Sequence, residues 1–450
     1  MIGESRLLGT LSRVMKRIRA DGVSACAHAK TRRVFRFAYD AIHQDLMQEM
    51  VGVTLKIIRD RRVGVARTET LEPTSLARCA RAATDIARYS PTQRDLPELP
   101  RGHRIRMRAD YLSATSRTSA SMCVTKLKRL FHLCQGAGVA LAGSFMTGED
   151  EFVVVNSSGV ACYAASTVSG AKLVTMYRKL SGYASGVAKD LQALDLDQLL
   201  KRSLAQSLHH TTAVTLPLGT YEVILEPEAV ADLVTWLGYT AFGAKSVEER
   251  TSFLAGRMDD RVMAQQITIY DDGTDPDVLR MPFDFEGVPK QRVTFVDHGH
   301  AQEPVYDSTY GARFGRASTG HAMPPDDVEG PLPLHLAIAP GTSRSADIIR
   351  ACHRGLYIPR FHYVNGLLNP REALMTGLTR EGAFLIEGGK LTAPITTMRF
   401  TQSLLEAFSH VRGISHERTL IADPSQDLGC ALMPTLHLEK FHFTGRSETS

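Results

Sequence analysis

The residues best suited to chemistry lie in two short segments of the second half of the chain. In the first, the carboxylates Asp284 and Glu286 stand beside Gly287 in a turn-like sequence. The second follows about thirty residues later and joins hydroxyl side chains to a histidine: Ser318, Thr319, Gly320 and His321. Nucleophile and base types are adjacent there, but a working Ser–His pair needs a geometry that only the tertiary fold provides. The residue types therefore leave catalysis and substrate contact both open.

A second candidate site is the histidine pair His298 and His300. In an extended strand, residues two apart point to the same face, so both imidazoles would be able to reach one ion. Asp297 and Glu303 lie nearby in the sequence and offer carboxylate ligands. An exposed strand end explains the same spacing at least as well. A metal site and a plain surface pair both remain possible at this point.

The elements that position these residues belong to more than one domain. A chain of 450 residues exceeds one typical hydrophobic core. We expect one domain over residues 1–215 and a strand-rich one over residues 216–450. The content of 43% hydrophobic and 22% charged residues is typical of a soluble globular protein. No apolar run is long enough to cross a membrane, so we expect no membrane partner.

Periodicity indicates the fold class. Alternating segments at 34–39, 51–58 and 61–66 predict an antiparallel meander. Helical spacing predicts helices over 76–87, about 109–136, 185–209 and 228–242. Neither a βαβ rhythm nor a G-x-G-x-x-G motif is present, which argues against a doubly wound sheet. The prediction is an α+β protein of two domains with large, mainly antiparallel sheets flanked by helices.

Cysteine use and charge say something about surroundings and partners. The seven cysteines are scattered and form no C-x-x-C motif, which favours a reducing, cytoplasmic location. Residues 1–130 contain 26 Lys and Arg against 12 Asp and Glu, a net charge of +14, whereas the remainder carries −9. Such a split can mark nucleic-acid contact or a charged interface. No nucleic-acid motif accompanies it, so we favour a solvated, arginine-rich surface without a nucleic-acid partner.

Several motifs, in order, resemble one family over nearly the whole chain. They occupy residues 155–159, 221–227, 269–273, 283–289, 318–321, 338–342, 355–358 and 376–382. Each motif is weak alone, but their order and spacing together resemble the TldD/PmbA (TldD/TldE) peptidases. The resemblance implies that the loop at 318–321 lies close to the active cleft. It thereby makes the following residues candidates for contact with substrate: Asp284, Glu286, Ser318, Thr319, Gly320 and His321.

This family has a metal-bearing and a metal-free version. The resemblance implies that the metal-bearing version carries His-Glu-x-x-x-His on the helix after the first strand of the C-terminal domain. Two such histidines can bind one zinc ion, and the glutamate can serve as base for its water. In this chain Thr235, Trp236 and Thr240 stand roughly at those positions. Cys430 lies near the implied third ligand, but alone it is interpreted as a buried thiol.

The resemblance therefore implies a metal-free, TldE/PmbA-like subunit of a peptidase. We expect no cofactor in this chain and zinc in a partner, which is a TldD-like homologue in a heterodimer unless the chain forms a homodimer. The implied substrate is an unfolded peptide or a leader peptide, held by strand addition to a sheet edge. Two alternatives stay open. One is a catalytically silent, homodimeric peptide-binding or scaffold protein, and the other is a standalone hydrolase that uses His298, His300 or His321.

Overall fold

Two β-sheets form the framework of the chain in the computed structural model, which describes residues 1–209, 211–423 and 429–446. The first sheet contains β1 (Gly22–Ala38), β2 (Ala41–Arg59), β3 (Arg62–Thr68), β4 (Arg106–Asp110), β5 (Ala140–Asn156), β6 (Ala161–Tyr177) and β7 (Leu180–Ala188). Its order is β3-β2-β1-β5-β6-β4, with β7 also paired to β6. Strands β1, β2 and β3 form the predicted antiparallel meander.

Five helices accompany this sheet within the described residues. They are α1 (Glu4–Met15), α2 (Pro73–Tyr89), α3 (Ser113–Ser116), α4 (Ala120–Gly136) and α5 (Leu196–Ser207). The long helix predicted over 109–136 is wrong at its start, because β4 ends at Asp110 and α4 begins only after its N-cap Ser119. The helix predicted over 185–209 is also too long. Its first residues belong to β7, where Gly182 lets α5 approach: a Cβ there would lie 1.9 Å from the carbonyl oxygen of Ser203.

The second sheet is larger and mixed. Its strands are β8 (Gly219–Leu225), β9 (Ile269–Asp271), β10 (Val293–Asp297), β11 (His300–Ala301), β12 (His335–Ile338), β13 (Arg354–Ile358), β14 (Phe361–Asn369), β15 (Leu374–Thr379), β16 (Phe384–Glu387), β17 (Lys390–Pro394), β18 (Met398–Ser403), β19 (Val411–Ile421) and β20 (Cys430–Arg446). Most pairs are antiparallel, but β12 with β20 and β8 with β13 run parallel. Two large, mainly antiparallel sheets with flanking helices confirm the predicted α+β class.

The helices of the second half are α6 (Pro227–Ala241), α7 (Ala244–Glu248), α8 (Ser308–Phe314), α9 (Ser345–Ala351) and α10 (Leu404–Ser409), with a 3₁₀ turn at Pro370–Glu372. Helix α6 is the most deeply buried of them and is central to the core. It packs on alternate residues of β8 and β20, including Val223, Leu225, Leu436 and Leu438. Helix α6 therefore covers the part of one sheet face that β8 and β20 form.

The carboxylate-rich turn predicted as a site joins the two sheets. The ring of Phe283 stacks on Phe152 of β5, with centroids 5.1 Å apart and planes at 11°, and Phe285 meets Phe152 edge-on at 4.7 Å. Arg280 adds two hydrogen bonds of 2.8 and 2.6 Å to the buried carboxylate of Asp110. The sequence boundary at 215/216 stays a prediction, although the two sheets do divide near it.

Two other expectations concern surroundings. No helix among the described residues has both the length and the apolar character needed to cross a membrane. All seven cysteines are buried and unpaired with one another, as free thiols. The cytoplasmic location stays a prediction.

Candidate functional site

A cleft of about 550 Å³ opens where the first sheet meets helix α6. Strands β6 and β7 form one wall, α6 and β14 form the other, and the start of β20 lies at its end. Its polar lining includes Lys172, Tyr183, Glu228, Asp232, Arg360 and Cys430. These residues come from both halves of the chain, so the cleft depends on how the sheets are joined.

Helix α6 presents an acidic stripe to the cleft for a simple geometric reason. Pro227 occupies its first turn, where a missing N–H costs nothing and the fixed φ suits a helix. Its fully buried apolar residues face the core: Val230, Leu233, Val234 and Leu237. Spacing of four and three residues on the other side brings Glu228, Asp232 and Thr235 to one face, and all three line the cleft.

The two carboxyl groups of α6 are held in place and partly desolvated. Glu228 accepts a hydrogen bond from the hydroxyl of Ser185 on β7. Asp232 accepts one of 3.0 Å from the backbone N–H of Phe361. Burial raises the pKa of Glu228, and burial together with the charge of Glu228 raises the pKa of Asp232 to about 7. Asp232 therefore changes charge near neutral pH. Its carboxyl group can donate a hydrogen bond when it is protonated and only accepts hydrogen bonds when it is ionised.

Arg360 supplies the positive charge opposite these acids. Its guanidinium lies 3.8 Å from the centroid of the Tyr183 ring and forms an ion pair with Glu381. Its buried Nε has no hydrogen-bond partner among the described residues. An unsatisfied buried donor costs free energy, which makes this N–H an exception among the buried polar groups of the described residues.

The side chains at the implied zinc positions do not fit a zinc ion. Thr235 is exposed and Trp236 half-buried on the cleft wall, while Thr240 is buried and donates its hydroxyl hydrogen to the carbonyl oxygen of Trp236 at 2.7 Å. Cys430 does line the same cleft, but burial raises the pKa of its thiol to about 12, which disfavours the thiolate that metals bind. Neither threonine nor tryptophan provides an ordinary zinc ligand.

Among the described residues, one group of three potential ligands comes close together, and it lies elsewhere. Glu222, Cys352 and His437 place ligand atoms within 4.8 Å of one another. They lie under α9, on the face of the second sheet opposite α6. Glu222 accepts hydrogen bonds there from His437 at 2.7 Å and from Arg412 at 3.1 Å. These protein donors already satisfy the carboxylate, so the group is a hydrogen-bonded cluster of the fold.

The predicted contact residues Asp284 and Glu286 organise the turn that joins the sheets. The buried carboxylate of Asp284 accepts three backbone hydrogen bonds of 2.9 Å, from Glu286, Val288 and Ala322. Glu286 accepts a 3.0 Å bond from the N–H of Ser308 and lines a separate cavity of about 120 Å³. Neither residue lines the cleft beside α6. Their predicted contact with substrate stays a prediction. In the structure, both carboxylates accept backbone hydrogen bonds that hold this turn and its neighbours in place.

The loop at 318–321 is also fixed by internal bonds. Ser318 and Thr319 both donate to the carbonyl oxygen of Tyr306, at 3.3 and 3.1 Å. Gly320 has φ of 77°, and a Cβ there would lie 2.3 Å from the carbonyl oxygen of Pro289. His321 is buried, and its Nε2 lies 2.9 Å from Oδ1 of Asp271. None of these four residues lines the α6 cleft, and their predicted contact with substrate stays a prediction.

The shared-face geometry predicted for His298 and His300 is wrong. His298 lies in the turn between β10 and β11, with φ of 46°, and only His300 belongs to a strand. Each ring has its own local partner: Nδ1 of His298 lies 2.9 Å from Asp297, and Nδ1 of His300 lies 2.9 Å from the carbonyl oxygen of Asp259. The turn forms because Gly299 continues the left-handed backbone, with φ of 81°.

Sequence reasoning missed the side chains that do line the cleft. Glu228 and Asp232 form an acidic pair one helical turn apart, a weak signal beside the apolar residues that dominate the pattern of α6. Tyr183 and Arg360 meet only through the tertiary fold, across 177 positions of sequence, and carry no local motif.

Comparison with known proteins identifies relatives over much of the chain. A family model described as the PmbA/TldA metallopeptidase C-terminal domain matches residues 218–445. The chain is 27% identical over 170 residues to an uncharacterized protein of Methanocaldococcus jannaschii, covering 38% of this chain and 40% of that protein. It is 20% identical over 281 residues to a protein named metalloprotease from Methanothermobacter thermautotrophicus, covering 61% and 60%. The matched segments thus span 40% and 60% of these curated relatives.

Solved structures share the architecture. The crystal structure of TldE from Thermococcus kodakarensis superposes with a TM-score of 0.88 at 20% identity, covering 97% of this chain and all of the other. A protein described as a putative modulator of a DNA gyrase from Thermotoga maritima gives 0.85 at 16% identity, with the same coverage. At such identities the likeness establishes the fold. The family model covers just over half of the residues of this chain, and the chain therefore belongs to the PmbA/TldD family.

Proposed function

We propose that the chain is the metal-free, TldE-like subunit of a TldD/TldE-type metallopeptidase complex that cleaves unfolded peptides or leader peptides. The observation that carries the proposal is the wall of helix α6, where Thr235 and Trp236 occupy the region that would hold His-Glu in a metal-bearing relative. A TldD-like partner supplies the zinc and the base. This chain shapes a cleft and completes the complex.

The cleft suits an extended peptide. Strand β14 pairs with β15 on one side, and among the described strands none pairs with its other side. Residues 360–364, at the start of β14, line the cleft, so an unfolded segment can add there as a further strand. The N–H of Phe361, at the start of this strand, is directed toward α6, since it donates to Asp232.

A partner surface adjoins the cleft. Strand β14 exposes three large apolar side chains, with Tyr363 at 77%, Leu367 at 56% and Leu368 at 46% of their full areas. Clustered exposed apolar residues mark interaction surfaces more often than single ones do. We therefore place the TldD-like partner at this edge, where its zinc would face the shared cleft. The same surface would serve a homodimer, which is the silent-scaffold alternative.

Co-expression separates these functions. The chain and a homologue that carries His-Glu-x-x-x-His would be purified together and separately, then incubated with an unfolded peptide. The proposal predicts a complex that cleaves the peptide and an isolated chain that does not. A homodimer that ignores the homologue and cleaves nothing would support the scaffold. Cleavage by the isolated chain that is lost on His298→Ala would support a standalone hydrolase.

A further inference from the structure

An open groove of about 1030 Å³ lies between helices α1 and α2 on the first sheet. Both helices pack through Leu7, Leu11 and Leu76 on one face of that sheet. Phe283 packs on the opposite face, against Phe152. The groove is thus separated from the α6 cleft by the sheet itself, and an inference about it does not depend on the proposed function.

Arginines dominate the charge of this groove. Its lining contains six of them against two acids, Glu72 and Asp85, and they are Arg6, Arg13, Arg17, Arg19, Arg81 and Arg88. All six are exposed, and only Arg88 has a carboxylate within 4 Å among the described residues, namely Asp85 at 3.8 Å. The net charge of +14 over residues 1–130 is therefore concentrated partly at this groove, where five guanidinium groups have no ion pair in the described part of the chain.

The two helices offer matched faces to the groove. Arg6, Thr10, Arg13 and Arg17 follow one another at spacings of four, three and four residues along α1 and its end. Pro73, Ala77, Ala80, Thr84 and Arg88 run along one side of α2. These spacings keep each set on one helical face, over about three turns on α1 and about four on α2. Small residues on α2 leave room for a third element to approach the helix closely.

The floor of the groove is apolar and aliphatic. It is formed by partly exposed residues that no other element covers among those described: Ile2, Val14, Ile18, Val51 and Leu71. Bases of single-stranded nucleic acid bind by stacking on aromatic rings, and none of the lining residues is aromatic. An apolar floor between arginine rims instead complements a helix with one apolar face and acidic flanks.

We propose that the α1–α2 groove is a docking site for an acidic, amphipathic helix of a partner or substrate protein. Its apolar face covers the aliphatic floor, and its Glu or Asp side chains pair with the arginines of both rims. The bound helix would be about eleven residues long, since the arginine row of α1 extends for about 16 Å at 1.5 Å per residue. It would complete the helical layer on this face of the sheet.

Fluorescence anisotropy tests this directly on the full chain. The probe is a labelled peptide of about fourteen residues with Leu and Ala on one face and Glu along both flanks, and a scrambled peptide of identical composition is its control. We expect the amphipathic peptide to bind and the scrambled one to bind at least about tenfold more weakly. Equal binding of the two peptides would overturn the proposal, since charge alone would explain it.

Matched variants locate the site. Arg13→Glu with Arg81→Glu should weaken binding of the amphipathic peptide at least about tenfold, whereas Arg78→Glu, on the same helix outside the groove, should change it less than about twofold. Ala77→Trp should block the groove, and Ala82→Trp, also exposed on α2, should not. Circular dichroism checks that each variant is folded.

The competing occupant is nucleic acid. Single-stranded DNA of the same total charge as the peptide is added as a competitor at fixed salt. We expect it to displace the peptide weakly and with a steep dependence on salt. DNA that binds more tightly than the peptide, and that loses binding on Ala77→Trp, would overturn the helix proposal in favour of a nucleic-acid groove. Unchanged peptide binding in both groove variants would overturn it as well.

Discussion

Ser185 of β7 donates its hydroxyl hydrogen to the carboxylate of Glu228 on α6 and so ties the first sheet to the central helix of the second half. One turn further along α6, Asp232 holds the N–H of Phe361 at the start of β14. The acidic stripe of α6 therefore connects both walls of the cleft. Glu228 and Asp232 thus hold the cleft together.

Stability should depend on the charge of Asp232. Its pKa is raised from 3.8 to about 7 in the folded chain, so the folded state binds this proton more tightly than the unfolded state does. Its contribution is complete below about pH 4 and lost as pH rises through about 7. Asp232→Asn should therefore be more stable than wild type at pH 8, by about 1 to 3 kcal/mol.

Urea unfolding at pH 5 and pH 8 checks this prediction. The gain should appear at pH 8 and shrink at pH 5, where wild-type Asp232 is already protonated. Asp85→Asn, at an exposed position on α2, is the control and should show no such gain. An Asp232→Asn protein with the same pH dependence as wild type would contradict the raised pKa.

The joint between the sheets should depend on Phe283. Its fully buried ring stacks on Phe152, so Phe283→Ala leaves a cavity at the interface. We expect a loss of about 3 to 5 kcal/mol in the free energy of unfolding. Phe314→Ala, at a ring 37% exposed, should cost less than about 1 kcal/mol. Similar losses for the two variants, measured by denaturant unfolding, would argue against the interface as a major stabilising contact.

Gly287, in the turn that joins the sheets, and Gly315, at the C-terminus of α8, make a matched pair of glycines. Both have positive φ, 76° and 64°, but a Cβ at Gly287 would lie 2.4 Å from Val160, whereas nothing lies within 4 Å at Gly315. Gly315→Ala should cost about 1 kcal/mol from backbone strain alone. Gly287→Ala should cost about 2 to 4 kcal/mol, since overpacking adds to that strain. Equal shifts in the thermal unfolding midpoint would refute the close contact.

The exposed edge of β14 should determine complex formation. Leu367→Asp places a charge on the surface assigned to the TldD-like partner and should weaken the complex at least about tenfold in a binding assay. Met122→Asp, at another exposed apolar residue on α4, is the control. Both variants should unfold within about 0.5 kcal/mol of wild type, because both residues are exposed. Unchanged affinity of Leu367→Asp would place the partner elsewhere.

Sequence periodicity predicted the fold class well where burial is one-sided. The meander at β1–β3 and helix α2 follow from alternating and helical spacing, respectively. The prediction was wrong where tertiary contacts determine the secondary structure. Strand β7 is rich in small residues because α5 packs against it, and such a strand has no hydrophobic alternation to identify it. His298 likewise looked like a strand residue, but Gly299 turns the chain there.

The site was harder to predict than the fold. The motif at 283–289 is conspicuous in sequence, and in the structure it packs rings on the first sheet and binds backbone N–H groups through Asp284. The cleft itself joins Tyr183 to Arg360 and Ser185 to Glu228, contacts between distant segments that no local pattern encodes. The sequence did predict that Thr235 and Trp236 stand roughly where the resemblance implies zinc ligands, and this stays a prediction.

Zinc content of the isolated chain tests the central claim most directly. The chain would be purified without its partner, equilibrated with zinc, freed of excess ion and analysed for metal, alongside Cys430→Ser and a Cys134→Ser control at another buried thiol. We predict far less than one zinc per chain bound in the cleft, with no difference among the three proteins. One zinc per chain that is lost specifically in Cys430→Ser would contradict the account, because the cleft would then hold a metal of its own.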